Sequence, residues 1–455
     1  MPGAALYQSV RDAISVQNFD DSTWPTAMID QKGVKALATV QPDPDSLVRL
    51  SGPELQAARA RMWDLVKGMD DLTADVLDAV ACLWVEQAVH KDQVVWLTAD
   101  QFLAFRGLQP HRSSAGRESG YKDQQRRQVA DHLVRLENTW IDVVEMEVVE
   151  EQRSPDGKVR RRRKKWKGRS RALIRSSEAG QVTISGGLDP YAWRLRPGDV
   201  FCEFLLGPGR DVVLLSRKAL EYDPYRQEVE KRLARFFAYH WRGTAGGESP
   251  RFTVSKLLEA AHKTPSARHP HKTKQRLERA LLTLAVDRVI TIPGLIEAAE
   301  RLRPEGSTAR TAELVEDLIA SGHLAVGDFL YGDGFHDAEV GERGWSERWL
   351  RQGVRVEPPP VLLELYASMI RSEQEAPETD EEPASGNSVK RGPRDLIARF
   401  IEVREQLGMT LADVAAEIDV TRAYLSMILR RTRKPSREVK ERLEAWLERV
   451  SGSVS

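Results

Sequence analysis

The stretch from Ser372 to Lys390, SEQEAPETDEEPASGNSVK, sets the first constraint on this chain. It is acidic, contains Pro, Ser and Gly, and is almost free of apolar side chains. Such a segment cannot bury a core, so it reads as a flexible linker. A long body must fold before it and a short one after it. At 455 residues the chain has room for about three or four domains. The expected division is a weakly structured N-terminal arm or small subdomain over 1–55, where Pro and Asp punctuate a mixed sequence, a first domain over 56–222, a second over 223–371, the linker over 372–390 and a last domain over 391–455.

Lys and Arg number 68 and Asp and Glu also 68, so net charge says nothing about partners, and the distribution of charge carries the information. Cys82 and Cys202 lie in apolar runs and read as buried reduced thiols. No Cys/His cluster has zinc-ligand spacing, no G-x-x-x-x-G-K-[ST] loop is present, and no run is long and apolar enough to span a bilayer. The start of the chain lacks a basic stretch leading into an apolar one. The expectation is a protein without cofactor, metal or catalytic residue, cytoplasmic, and associated with DNA rather than with a membrane.

Helical periodicity runs from Leu72 to Ala88, with Thr73 as the suggested cap. A short strand at 94–97 follows, then a helix capped by Thr98 and ended by Gly107, a polar loop, and a third helix from about Lys122 to Glu137 with Lys122, Arg126, Arg127 and Arg135 on its outer side. Strand-like stretches come next, at 140–151 and 171–176, with a further pair at QVTIS and DVFCEFLL. Helix, strand, helix, polar loop, basic helix and β-hairpin is the order of a winged helix, whose third helix fills the major groove. The order recurs. A helix spans Arg226 to Arg242, Thr253 caps a short helix, a polar loop follows, and a helix from Lys272 to Asp287 carries Lys272, Lys274, Arg276 and Arg279, after which comes the β-branched run RVITIP. The fold class is therefore mainly α with small β, an α+β arrangement of winged-helix units, a linker and an all-α helix-turn-helix domain.

Between the strand stretches lies RSPDGKVRRRRKKWKGRSRALIR, with one acid, Asp156, and Trp166 among cations. A run of like charge needs solvent or a polyanion, and DNA phosphates supply one with counterion release as the driving force. Lys158, Arg160, Arg161, Arg162, Arg163, Lys164, Lys165, Lys167, Arg169 and Arg171 are the expected phosphate contacts, on a loop read as a long wing.

After the linker, Leu396, Phe400, Val403 and Leu407 mark a helix ended by Gly408. Thr410 opens a second helix that buries Leu411, Val414, Ala415 and Ile418, and Thr421 caps a third that buries Leu425 and Ile428. Pro435 precedes a last helix with Val439, Leu443 and Leu447 inward. This segment resembles the Cro/CI-type (XRE-like) helix-turn-helix family. Arg404, Gly408-Met409-Thr410, Leu411, Val414-Ala415, Ile418, Val420, Thr421, Leu425, Ile428 and Lys434-Pro435-Ser436 carry the resemblance. The resemblance implies that Thr421, Arg422, Ala423, Tyr424 and Ser426 lie at base edges or backbone, and that Arg430, Arg431, Arg433 and Lys434 hold phosphates. Where many members have a Glu-Arg/Lys-Gly-like sequence after the third helix, this chain has Leu429-Arg430-Arg431-Thr432.

The element order of the main body resembles, more loosely, tandem winged-helix plasmid replication initiators. That resemblance implies binding to repeated sites at an origin, with double-stranded DNA, host replication proteins and a second copy of the chain as partners. A transcriptional or partition regulator is the alternative. A nicking relaxase is a second alternative, prompted by His269-Pro270-His271, which superficially resembles the paired histidines of rolling-circle nucleases but lies where a loop opens a helix.

Overall fold

Residues expected to form a weakly structured arm are instead built into the main body. In the computed structural model of the chain, helix α1 (Ala5–Val16) turns Leu6, Tyr7, Val10 and Ile14 fully inward. Strands β1 (Asp20–Asp21), β2 (Pro25–Gln31) and β3 (Val34–Val40) run antiparallel, and β3 buries Ala36, Ala38 and Val40 alternately, as one face of a half-buried strand must. The Pro and Asp residues that suggested looseness mark caps. Asp43 caps α2 (Pro44–Leu47), and Ser51 and Glu54 form a capping box on α3 (Gly52–Lys67). The structure describes residues 3–31, 33–112, 118–153, 159–182, 188–206, 211–242, 251–304, 309–332, 340, 343–374 and 400, with 414–415, 417–418, 420, 425, 439–440, 442–443 and 445–447 near the C-terminus. At 112, 118–119, 147–153, 159–163, 181–182, 188–190 and 370–374 it describes the backbone alone. The expected linker at 372–390 lies almost wholly outside these residues. The chain divides into two units, Met1–Thr379 and Asp380–Ser455.

Helix α4 (Asp71–Gln87) is capped by Asp70, not by Thr73. The Asp70 carboxylate accepts the backbone N–H groups of Leu72 and Thr73, both at 3.0 Å, while Thr73 at the third helical position returns its hydroxyl oxygen to the Asp70 N–H at 3.2 Å. Strand β4 (Val95–Thr98) leads into α5 (Ala99–Phe105), which Thr98 caps through the Gln101 N–H. Gly107 then takes φ +71°, the left-handed conformation of a helix stop. The short strands β5 (His111–Arg112) and β6 (Glu118–Gly120) bridge to α6 (Asp123–Glu137), with Val129, Leu133 and Leu136 in the core.

Residues 159–171 of the basic segment, expected as a loop, form a strand. Strand β7 (Thr139–Arg153) pairs antiparallel with β8 (Val159–Arg171), completing a five-stranded sheet in the order β1-β2-β3-β7-β8. In register, Glu147 stands opposite Lys165, Glu150 opposite Arg162 and Glu151 opposite Arg161. Acidic positions of β7 thus stand in register with basic positions of β8. Strands β9 (Leu173–Val182) and β10 (Leu188–Pro197) form a separate sheet with β4, ordered β4-β10-β9. The next apolar run, read as a strand, is the short helix α7 (Asp199–Leu205), burying Val200, Phe201, Cys202 and Leu205. Short apolar runs carry no periodicity that separates the two states.

Helix α8 (Lys218–Glu221) precedes α9 (Glu228–Trp241), whose Val229, Leu233, Phe237 and Trp241 face a second core. Strand β11 (Phe252–Thr253) leads into α10 (Val254–Ala260), capped by Thr253 through the Lys256 N–H, and then α11 (Pro270–Val286). Four helices follow: α12 (Leu295–Arg301), α13 (Thr311–Ala320), α14 (Val326–Tyr331) and α15 (Trp345–Arg351). Strand β12 (Gly353–Val354) then returns to pair with β11, and α16 (Pro360–Gln374) closes the unit. The RVITIP run forms no hairpin. Its Thr291 makes a single bridge to Glu357. Residues 295–351 complete the second core through Leu295, Leu314, Val315, Leu330, Tyr331 and Trp349.

A charged seam joins the two cores. Asp71, Asp75 and Asp78, spaced along one face of α4, meet Lys231, Arg232 and Arg235 of α9. Arg235 reaches all three acids, at 3.1 Å to Asp71, 2.5 Å to Asp75 and 3.0 Å to Asp78. Lys231 also donates to the carbonyls of Ala219 and Leu220, at 2.7 and 3.3 Å. From α1, the Tyr7 hydroxyl donates to Asp78 at 2.8 Å. Burial opposes the charge on Arg235, but Asp75, Asp78 and Asp71 together raise its pKa.

In the C-terminal unit Phe400, Val414, Ala415, Ile418, Leu425, Val439, Leu443, Trp446 and Leu447 form one cluster. The Trp446 indole N–H donates to Glu417 at 2.8 Å, and its ring lies 5.2 Å from that of Phe400.

Candidate nucleic-acid interface

Helices α6 and α11 hold the same place in their bodies. Each follows a strand and a Thr-capped helix, and one register shift lays the buried Val129, Leu133 and Leu136 on the buried Leu277, Leu281 and Leu284. That shift sorts the cations expected on these helices. It places Arg126 on Lys274, and both are turned to structural tasks. Arg126 makes a two-pronged pair with Asp100 of α5, Nε at 2.7 Å and the second nitrogen at 2.8 Å, which locks α6 against the preceding helix. Lys274 is buried, lies 2.7 Å from Glu278 and sits 5.7 Å from the centroid of the Tyr331 ring. Arg135 donates to His132 Nδ1 at 2.9 Å.

The exposed faces hold different residues. On α6 they are Gln124, Arg127, Gln128 and Asp131, with Lys122 at the cap, and on α11 they are Lys272, Gln275, Arg276 and Arg279. Each set spans positions one, four, five and eight of its stripe, the spacing of a single helix face. Arg276 is steadied by Glu228 at 2.8 Å. Gln124, Gln128, Gln275 and Asp131 carry no positive charge, so the distribution of cations along the sequence does not mark them. His269 sits at the cap position of α11, with its ring 5.9 Å from that of His271.

On the hairpin, Lys164, Lys165, Lys167 and Arg169 are exposed. Lys165 pairs with Glu145, and Arg171 with Asp43 at 2.5 Å. Arg169 and Arg171 lie over the Trp140 ring at 5.3 and 5.1 Å. Gly168 has no room for a side chain, since a Cβ there would run into the Trp166 ring. The side chains of Arg160, Arg161, Arg162 and Arg163, and all of Lys158, lie outside the described residues. So do Thr421, Arg422, Ala423, Tyr424, Ser426, Arg430, Arg431, Arg433 and Lys434.

Among buried titratable groups, His132 is held by Thr73 at 2.8 Å, and burial pushes its pKa down to about 4, against the pull of Asp70. Burial pushes the Cys202 thiol up to about 12, consistent with an inert thiol. No described helix is long and apolar enough to cross a membrane.

The family model for a helix-turn-helix matches residues 401–445. This match indicates DNA binding by the chain. No curated protein sequence matches it. Two crystal structures of domains 2 and 3 of RctB are similar in part, at 16% identity. One, a selenomethionine derivative, covers 60% of this chain and 84% of its own at a TM-score of 0.33, and the other covers 58% and 78% at 0.30. Likeness this loose supports no conclusion about fold or function.

Proposed function

We propose that the chain is a sequence-specific double-stranded DNA-binding protein that acts as a plasmid replication initiator on repeated origin sites. In this reading its main body is a pair of winged helices, and α6 and α11 enter the major groove. The observation that carries the DNA-binding part is the polar face that each of these helices presents after a Thr-capped helix, with its inward cation tied down by an acid. The sheet order β4-β10-β9 supports the winged-helix reading of the first body, and the β11–β12 pair supports that of the second. The exposed cations of β8 hold phosphates, and the C-terminal helix-turn-helix adds a further contact at raised effective concentration. The protein works in the cytoplasm on its plasmid, with host replication proteins and a second copy as partners, and performs no catalytic chemistry of its own.

The role is tested with a minimal replicon carrying the gene and its flanking DNA in a host that offers no other replication function for it. Persistence is the expected result. Loss of the replicon while the purified protein still binds the same DNA leaves a regulator and rejects an initiator.

A further inference from the structure

We infer that α6 and α11 read two unlike half-sites, one containing adenine and the other rich in guanine. The inference rests on the proposed entry of both helices into the major groove. The register shift that superposes their buried residues pairs exposed Gln124 with Lys272, Arg127 with Gln275, Gln128 with Arg276 and Asp131 with Arg279. No position repeats. Each guanine offers two acceptors in the major groove, suited to Arg or Lys, whereas adenine offers an acceptor and a donor, suited to Gln, and cytosine offers an amino donor, suited to Asp.

The α11 face therefore favours guanine at three of its four positions, through Lys272, Arg276 and Arg279. Arg276 gives one nitrogen to Glu228 at 2.8 Å, and about half of its side chain stays exposed, 52%. The α6 face favours adenine through Gln124 and Gln128 and guanine through Arg127. Asp131 repels phosphate and is compatible with the groove only opposite an amino donor. A homodimer presents the same face twice and selects a palindrome. This chain presents two different faces fused in one body, and the buried acids and bases between α4 and α9 join the bodies that carry them. The site it selects is asymmetric.

The test is enrichment of the full chain on a random duplex pool, repeated with Gln128→Ala and Arg276→Ala, both exposed substitutions. The expected result is an asymmetric site in which Q128A flattens an adenine preference in one half and R276A flattens a guanine preference in the other. Each loss of discrimination should be about tenfold or more. A block read by the C-terminal domain stays unchanged in both variants. A palindromic site, a change in the same half from both variants, or no change from either overturns the half-site assignment while leaving DNA binding intact. Failure of the parent chain to enrich any sequence rejects the sequence-specific reading itself, and the assignment with it.

Discussion

The Lys231 ammonium donates to both carboxylate oxygens of Asp75, at 3.0 and 2.8 Å, and both side chains are fully buried although 156 residues separate them. Burial pushes the Asp75 carboxyl up and the Lys231 ammonium down. Each therefore depends on the other to stay charged, while Arg235 beside them favours the Asp75 carboxylate and opposes the Lys231 ammonium. Removing one partner strands a charge in the core, which costs about 3–5 kcal/mol. Asp75→Ala and Lys231→Ala should each lower the unfolding free energy by that amount in urea titrations. The double variant Asp75→Leu, Lys231→Met should lose clearly less than the two single losses combined. Strictly additive losses would show that the pair is not coupled.

His132 gives the fold a dependence on pH. Its pKa is about 4 when folded, because burial disfavours the imidazolium, and about 6.5 when unfolded. Between these values the unfolded chain binds a proton that the folded chain does not. The contribution is therefore fully present above about pH 6.5 and is lost as pH falls toward 4, by about 3 kcal/mol at most. Asp70 opposes the shift, while Arg135 and Arg106 reinforce it. Urea unfolding at pH 7 and pH 4.5 should show a smaller loss for His132→Asn than for the parent. Equal losses would mean that His132 is not the group responsible.

Inward and outward cations on α11 should separate cleanly. Arg276→Ala and Arg279→Ala, placed against guanine, should each relax base discrimination at one position by about 1–3 kcal/mol. Lys274→Ala removes a buried partner of Glu278 and should lower the melting temperature while leaving the salt slope unchanged. A lowered slope for K274A would mean that Lys274 leaves its buried position on DNA.

The β8 strand is tested by Lys164→Ser, Lys165→Ser and Lys167→Ser together. If all three hold phosphates, the logarithmic salt slope falls by nearly three. An unchanged slope would assign the strand's charge to its acidic neighbour β7 alone.

Periodicity made much of the fold legible. Helices α4, α6, α9 and α11 follow from apolar spacing, and Thr98 and Thr253 mark their helix starts as read. What escaped was decided between distant segments. The basic run has no partner of its own kind nearby, and only its pairing with β7 makes it a strand. Strand β3 likewise pairs with the distant β7. The acids of α4 were visible as Asp71, Asp75 and Asp78 on one helical face, a pattern too polar for an otherwise buried helix. Read beside Lys231 and Arg235, it would have pointed to the seam. The inward turn of Arg126 and Lys274 was likewise available from the register of Val129 and Leu277, since a cation three positions before a core residue shares its face.

Whether α11 reads the DNA is decided by footprinting the DNA beside the gene with the full chain and with a variant carrying Lys272→Ser, Arg276→Ser and Arg279→Ser. All three changes lie on the exposed face of α11 and leave the C-terminal unit untouched. The parent chain should protect repeats, and that protection should be lost in the variant. Identical protection by the two proteins would contradict a reading role for α11 and place sequence recognition in the C-terminal helix-turn-helix alone.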